Sequence, residues 1–173
     1  HQGDGIASAH HRVDLKHDIG GADLETDAAA RTLFRDAWLD ADGTPQPLLD
    51  YALQRVDGTN ATFALERRGA TMQKAIGVEG GCIRISYRFT GAFAAAGIDG
   101  FECTLDLAMP SCDGPGAHYR YRGAVLGGLG QPLELKHVSE LELVDDFMGG
   151  SLVLRSNLPL TLRARPCCTV SQS

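Results

Sequence analysis

The sequence predicts an all-β fold, a two-layer antiparallel β-sandwich, on three observations. First, apolar and polar residues alternate strictly: Ile83, Ile85, Tyr87 and Phe89 against Arg84, Ser86 and Arg88, and Phe101, Cys103, Leu105, Leu107 and Met109 against Glu102, Thr104 and Asp106. That period gives a strand one dry and one wet face, the habit of antiparallel sheets with a solvated side. Second, turn signals such as Arg68-Gly69 and Glu79-Gly80-Gly81 fall between these runs at short intervals. Third, no long amphipathic helical period occurs. The count comes to about nine to twelve strands, which close best as two packed layers.

Taken in order, residues 1–12, HQGDGIASAHHR, carry Gly, Ala and His without a period and are expected to form a flexible N-terminal segment. His10 and His11 are adjacent, so an extended chain points them to opposite sides and they do not grip one metal together. A single sandwich domain is expected over residues 13–173. Asp27 stands as a cap before Ala28, Ala29 and Ala30, so propensity alone reads residues 27–38 as helix. Residues 40–50, DADGTPQPLLD, read as a loop through Asp42-Gly43, Pro45 and Pro47. Between that loop and the turn at Asp57-Gly58-Thr59-Asn60, residues 48–56 read as a helical turn or a short strand.

A meander follows. Phe63 and Leu65 alternate with Thr62, Ala64 and Glu66; Met72, Ile76 and Val78 line the next strand. The alternating runs around Tyr87 and Cys103 come next, and their regularity places them at the centre of the sheet. Loops are expected at residues 91–100, 110–118 and 126–131. The last contains Gly127-Gly128-Leu129-Gly130, which lacks a following Lys-Ser/Thr pair and reads as a turn, not a phosphate loop. Leu133, Leu135, Leu141 and Leu143 then share one parity against Glu134, Lys136, Glu140 and Glu142. After Asp145, Asp146, Gly149 and Gly150 come the short run Leu152-Val153-Leu154 and the alternation of Leu158, Leu160, Leu162 and Ala164 with Thr161, Arg163 and Arg165.

Composition narrows the function classes. A chain of 173 residues holds one domain with a sizeable core. An apolar content of 43% excludes general disorder, and no apolar run approaches the length of a bilayer span. The net charge of −6, with basic residues scattered among acidic ones, disfavours nucleic acid as a partner. Cys82, Cys103, Cys112, Cys167 and Cys168 are odd in number and irregular in spacing, as expected in a reducing cytoplasm. No C-x-x-C accompanies the vicinal Cys167 and Cys168, and neither a metal nor a cofactor is expected.

The C-terminal stretch carries a family resemblance. A hydrophobic strand, then Arg165-Pro166, then Thr169-Val170-Ser171-Gln172-Ser173 resembles the end of the β-sandwich domain that follows the catalytic barrel in α-amylase and 4-α-glucanotransferase proteins of glycoside hydrolase family fifty-seven. In that family a segment of the type P-x-x-T-V-S-Q-S-E continues into a final strand. The opening is similar as well: Lys16, Asp27, Arg31, Phe34, Asp36 and Trp38 fit the family's outline of a first strand with Lys, then Asp, Arg and an aromatic-rich strand with Asp. The resemblance implies a large sandwich of the galactose-mutarotase and glycosidase C-terminal type, with strand where propensity reads helix. It implies that the chain stops before the last strand, so an exposed sheet edge and association or marginal stability are expected. It further implies a non-catalytic accessory domain whose partners are the catalytic barrel and an α-glucan, since the family's catalytic carboxylates lie in the barrel and no sequence here matches their motifs. Two other readings stand beside it: a stand-alone mutarotase-like enzyme epimerising a sugar ring, with His137 and Glu140 as the residues on offer, and a purely structural interaction module.

Sugar binding commonly uses an aromatic face against the apolar side of a pyranose, with polar groups on its hydroxyls. Trp38, His118, Tyr119 and Tyr121 form the expected carbohydrate-binding set, with Tyr51 a further exposed aromatic; for Trp38, the sole tryptophan, core packing is the simpler role. Glycoside cleavage needs two carboxylates across the bond. Asp36 with Asp40 and Asp145 with Asp146 are pairs the acidic content offers, and solvated turn carboxylates are the simpler reading. His137 lies on the leucine parity, which predicts a mostly buried imidazole.

Overall fold

The computed structural model describes residues 31–109 and 114–167. The expected N-terminal segment 1–12, Lys16, Asp27 and Cys112 lie outside the described residues, as does the TVSQS tail. The described strands are β1 (Arg35–Leu39), β2 (Pro45–Pro47), β3 (Ala52–Asp57), β4 (Asn60–Arg67), β5 (Ala70–Glu79), β6 (Cys82–Gly91), β7 (Gly100–Thr104), β8 (Ala117–Tyr121), β9 (Ala124–Gly128), β10 (Leu133–Asp145) and β11 (Gly150–Ala164), with a 3-10 turn at Ala94–Ala96. Every pairing is antiparallel. The protein is an all-β sandwich, as the alternation predicts. No described helix is long and apolar enough to cross a membrane. Among the described residues, 31–107 form one compact unit, and 108–109 with 114–167 belong to another.

In the first unit the meander β3-β4-β5-β6 makes a four-stranded sheet, and β2-β1-β7 makes a three-stranded one. Arg68 and Gly69 (φ 53° and 76°) turn β4 into β5, and Gly80 and Gly81 (φ 55° and 75°) turn β5 into β6. Paired left-handed residues match the right-handed twist of the strands they join, which explains the glycines. Leu65, Ala70 and Met72 from the larger sheet and Trp38 from the smaller meet in one buried cluster with Leu48 and Ala96. Phe101 closes on Tyr87 with ring centroids 4.7 Å apart, and Trp38 meets Phe93 edge to face at 6.0 Å.

Three expectations for this unit need correction. The helix read over residues 27–38 gives way to strand β1 from Arg35 onward, because Asp36 and Trp38 must face the same core. The loop at residues 40–50 contains the short strand β2, whose two prolines sit on a sheet edge where no amide donor is required. The runs around Tyr87 and Cys103 are not central: β6 and β7 are edge strands of different sheets. Alternation reports how many faces a strand buries and is silent on how many neighbours it has. β7 also ends at Thr104, so Leu105, Leu107 and Met109 do not extend it.

The second unit is a single sheet in the order β11-β10-β8-β9. Leu141, Leu143, Val144, Val138, Tyr119 and Ala117 are its buried apolar side chains along these strands. The two apolar runs after Gly150 form one continuous strand, β11, which lies at the sheet's edge. His137 corrects its expectation: it is exposed with φ 57°, while Val138 beside it is 5% exposed. Leu135 pairs with Leu162 and Val138 with Leu160, so two residues of β10 oppose one of β11. This bulge flips the parity on which the burial of His137 was read.

Candidate functional site

Four side chains from separate segments of the first unit gather around one carboxylate. Asp36 on β1, with its side chain fully buried, accepts from Lys74 Nζ at 2.6 Å, from Tyr51 Oη at 2.6 Å and from Tyr87 Oη at 2.7 Å. Lys74 Nζ also donates to the Phe34 carbonyl at 2.8 Å and lies 5.3 Å and 5.7 Å from the centroids of the Tyr51 and Tyr87 rings. Cys103, the partner of Asp36 in the β1–β7 register, has its Sγ 3.2 Å from Tyr87 Oη. The alternation of β1, β5, β6 and β7 sends Asp36, Lys74, Tyr87 and Cys103 between the two sheets of the unit, and Tyr51 joins them from the residue before β3.

The electrostatics fix the protonation pattern. Burial, and next the bond to Asp36, hold the Tyr51 hydroxyl far above the ordinary phenol range; burial and the bonds to Cys103 and Asp36 do the same for Tyr87. Burial, opposed by the Tyr87 bond and reinforced by Asp36, pushes the Cys103 thiol up to about 11. Both phenols therefore remain donors, and the carboxylate meets three donors at once. Chemically this arrangement joins the two sheets rather than shuttling protons. With iodoacetamide at pH 8 the exposed Cys82 and Cys167 should be alkylated well before the half-buried Cys103, read by peptide mass spectrometry; equal rates in the folded chain would refute the protected thiol.

Beside this cluster, at one end of the unit, is a cleft of about 210 Å³ lined by Trp38, Leu39 and Ile98 together with Asp40, Gln46, Arg67 and Arg68. Asp40 Oδ1 accepts from the backbone amides of Asp42 and Thr44, at 3.1 and 2.8 Å, which ties down the β1–β2 turn. Trp38 is 4% exposed, and its indole N–H is buried without an acceptor.

The expected sugar-binding residues are divided between the two units. Trp38 is in the core of the first unit, and His118, Tyr119 and Tyr121 are on β8 in the second. Tyr119 is buried, donates to the Leu129 carbonyl at 3.3 Å and has its hydroxyl pKa raised by burial. Neither Trp38 nor Tyr119 offers an open ring face. Tyr121 is half-buried under the Arg122 guanidinium, 5.0 Å from its centroid. His118 Nδ1 lies 3.9 Å from Asp146. On the same face as His118, Arg120 grips Glu142 through two bonds of 2.8 and 2.7 Å. Of the other carboxylates considered, Asp145 is buried and accepts from the Met148 amide, while Glu140 is held by Arg155 at 2.7 Å, apart from any imidazole contact. Among the described residues no three His, Cys, Asp or Glu side chains gather as metal ligands.

The Arg120 bond, followed by one from Ser151, lowers the Glu142 pKa from 4.5 to about 2. The folded value lies below the unfolded one, so this contribution is complete above pH 4.5 and is lost as the pH falls through about 2. Glu142→Gln should therefore flatten the acid limb of urea midpoints over that window; an unchanged limb would show that the pair adds nothing.

Sequence reasoning passed over Lys74, Tyr87 and Cys103 as chemistry-bearing groups. The available signal was Lys74 itself, a cation on the parity of Ala70, Met72, Ile76 and Val78, which announces a buried partner. A family model described as Alpha-amylase/4-alpha-glucanotransferase, C-terminal, matches residues 1–173. No curated protein and no solved structure matches the chain significantly.

Proposed function

Because the chain belongs to the alpha-amylase/4-alpha-glucanotransferase C-terminal family, we propose that residues 13–173 serve as a non-catalytic accessory domain. The parent would be a cytoplasmic α-glucan-acting hydrolase or glucanotransferase of glycoside hydrolase family fifty-seven. In this reading the domain seats on the catalytic barrel and touches the glucan. The family match along the whole chain is the observation that carries it.

Two features of the first unit support the reading. Its densest set of titratable groups is buried and committed to joining two sheets, a structural use. The apolar face of its meander also continues into solvent: Val78 and Ile83 pair across β5 and β6 and are 48% and 49% exposed, and Val56, opposite Ala61, is 64% exposed. Contiguous apolar surface of this kind suits association.

The 173-residue chain mixed with the separately produced barrel domain should form a one-to-one complex by size-exclusion chromatography with light scattering. Alone it should leave maltoheptaose intact. Failure to associate overturns the seating, and hydrolysis or glucan transfer by the chain alone overturns the non-catalytic role.

A further inference from the structure

We propose that the cleft at the end of the first unit binds one hexose unit of an α-glucan chain. The proposal rests on the accessory-domain reading and gives its glucan contact a location. The β1–β2 turn, the β4–β5 turn and the segment after the 3-10 turn converge there, the kind of loop cluster on a rigid sheet scaffold where ligands bind. The lining divides by chemistry. Leu39 and Ile98 are half-buried and Trp38 is nearly covered, whereas Gln46, Arg67 and Arg68 are exposed. A pyranose asks for that combination: apolar surface against its C–H groups, and amide or charged partners for its hydroxyls.

The polar groups are also available. The side chains of Arg67, Arg68 and Gln46 have neither a hydrogen bond nor an ion pair among the described residues, and the Asp40 carboxylate uses only Oδ1. The Trp38 N–H is buried without an acceptor and without solvent contact, so Trp38 gives the cleft apolar surface alone. The Asp40 carboxylate can accept from a sugar hydroxyl, while Arg67 and Arg68 leave the lining net positive, so phosphate is the competing ligand that the titration has to exclude. The cleft volume of about 210 Å³ is small, so it takes a single ring rather than a long oligosaccharide segment.

Titration of the 173-residue chain with maltoheptaose, followed by Trp38 emission and by calorimetry, tests the site. Cellohexaose and inorganic phosphate are the controls. A saturable signal with maltoheptaose alone is expected. Arg67→Ala and Gln46→Ala should each weaken binding about tenfold, the usual scale for losing a hydrogen bond to a charged or well-placed partner. Arg68→Asn keeps a residue that tolerates the left-handed turn and should act similarly. Urea midpoints of all three should match the parent chain. Absence of any heat or emission change, an equal response to cellohexaose, preference for phosphate, or variants that bind within twofold of the parent would each overturn the site. Complex formation with the barrel domain is scored separately, so loss of this site leaves the accessory reading standing or falling on its own result.

Discussion

Asp36→Asn should destabilise the first unit by about 3–5 kcal/mol, the cost of leaving one member of a buried ion pair without its partner. The carboxamide keeps an oxygen for only one of the two phenols, since Tyr51 and Tyr87 donate to different oxygens of Asp36, and it removes the counter-charge of Lys74. The Lys74 side chain is 8% exposed, and its ammonium keeps only the Phe34 carbonyl and the faces of two tyrosine rings. Urea unfolding followed at Trp38 reads the effect, since the sole tryptophan is buried in the same unit. Lys74→Met alone should cost a similar amount by stranding the carboxylate. The double variant should be more stable than either single one, because both charges are then gone. A cost below about 1 kcal/mol for Asp36→Asn, the range of exposed pairs, would show that water reaches the cluster and that the two sheets are not joined there.

Met72→Ala should cost about 2–5 kcal/mol, the range for emptying a sealed core position. Met72 has no solvent exposure, pairs with Leu65 and Phe89 in the ladder, and has its Sδ 3.9 Å from Tyr51 Oη. The cavity would open beside the Asp36 cluster, so partial collapse is opposed by groups already fixed by short hydrogen bonds. Met72→Leu keeps the volume and should cost less than about 1.5 kcal/mol. The contrast between the two, measured by urea unfolding, is the test. Equal losses would mean that the sulfur contact rather than packing holds the position.

What the sequence made legible was local. The hairpins β4–β5 and β5–β6 follow from alternating residues and from glycines at left-handed positions, and both are set within a few residues. The family could be recognised from the opening Asp36 and Trp38 pattern and the terminal motif, and the match along the whole chain agrees. What stayed hidden depends on distant partners. Edge strands alternate as central ones do, so the places of β6 and β7 could not be read from their own residues. One extra residue in β10 reversed the burial expected of His137. Lys74 announced a buried counter-charge without naming it, since Asp36 is on a different sheet. The lining of the cleft comes from three separate turns, and only Trp38 among its residues was an expected sugar contact.

The three-stranded sheet also bears on how the first unit assembles. β1 and β7 are direct neighbours in space, yet the whole meander β3 to β6 lies between them in the chain. Loop-closure entropy opposes such a pairing until the intervening segment is compact, whereas the meander grows by adjacent hairpins. The expected order is therefore the larger sheet early and the pairing of Asp36 opposite Cys103 late, so Asp36→Asn should speed unfolding far more than it slows folding in stopped-flow kinetics. Contacts made after the barrier leave the folding rate almost untouched and set how fast the native state opens. The buried carboxylate is in this sense a latch: it contributes little to finding the fold and a good deal to how long the fold lasts.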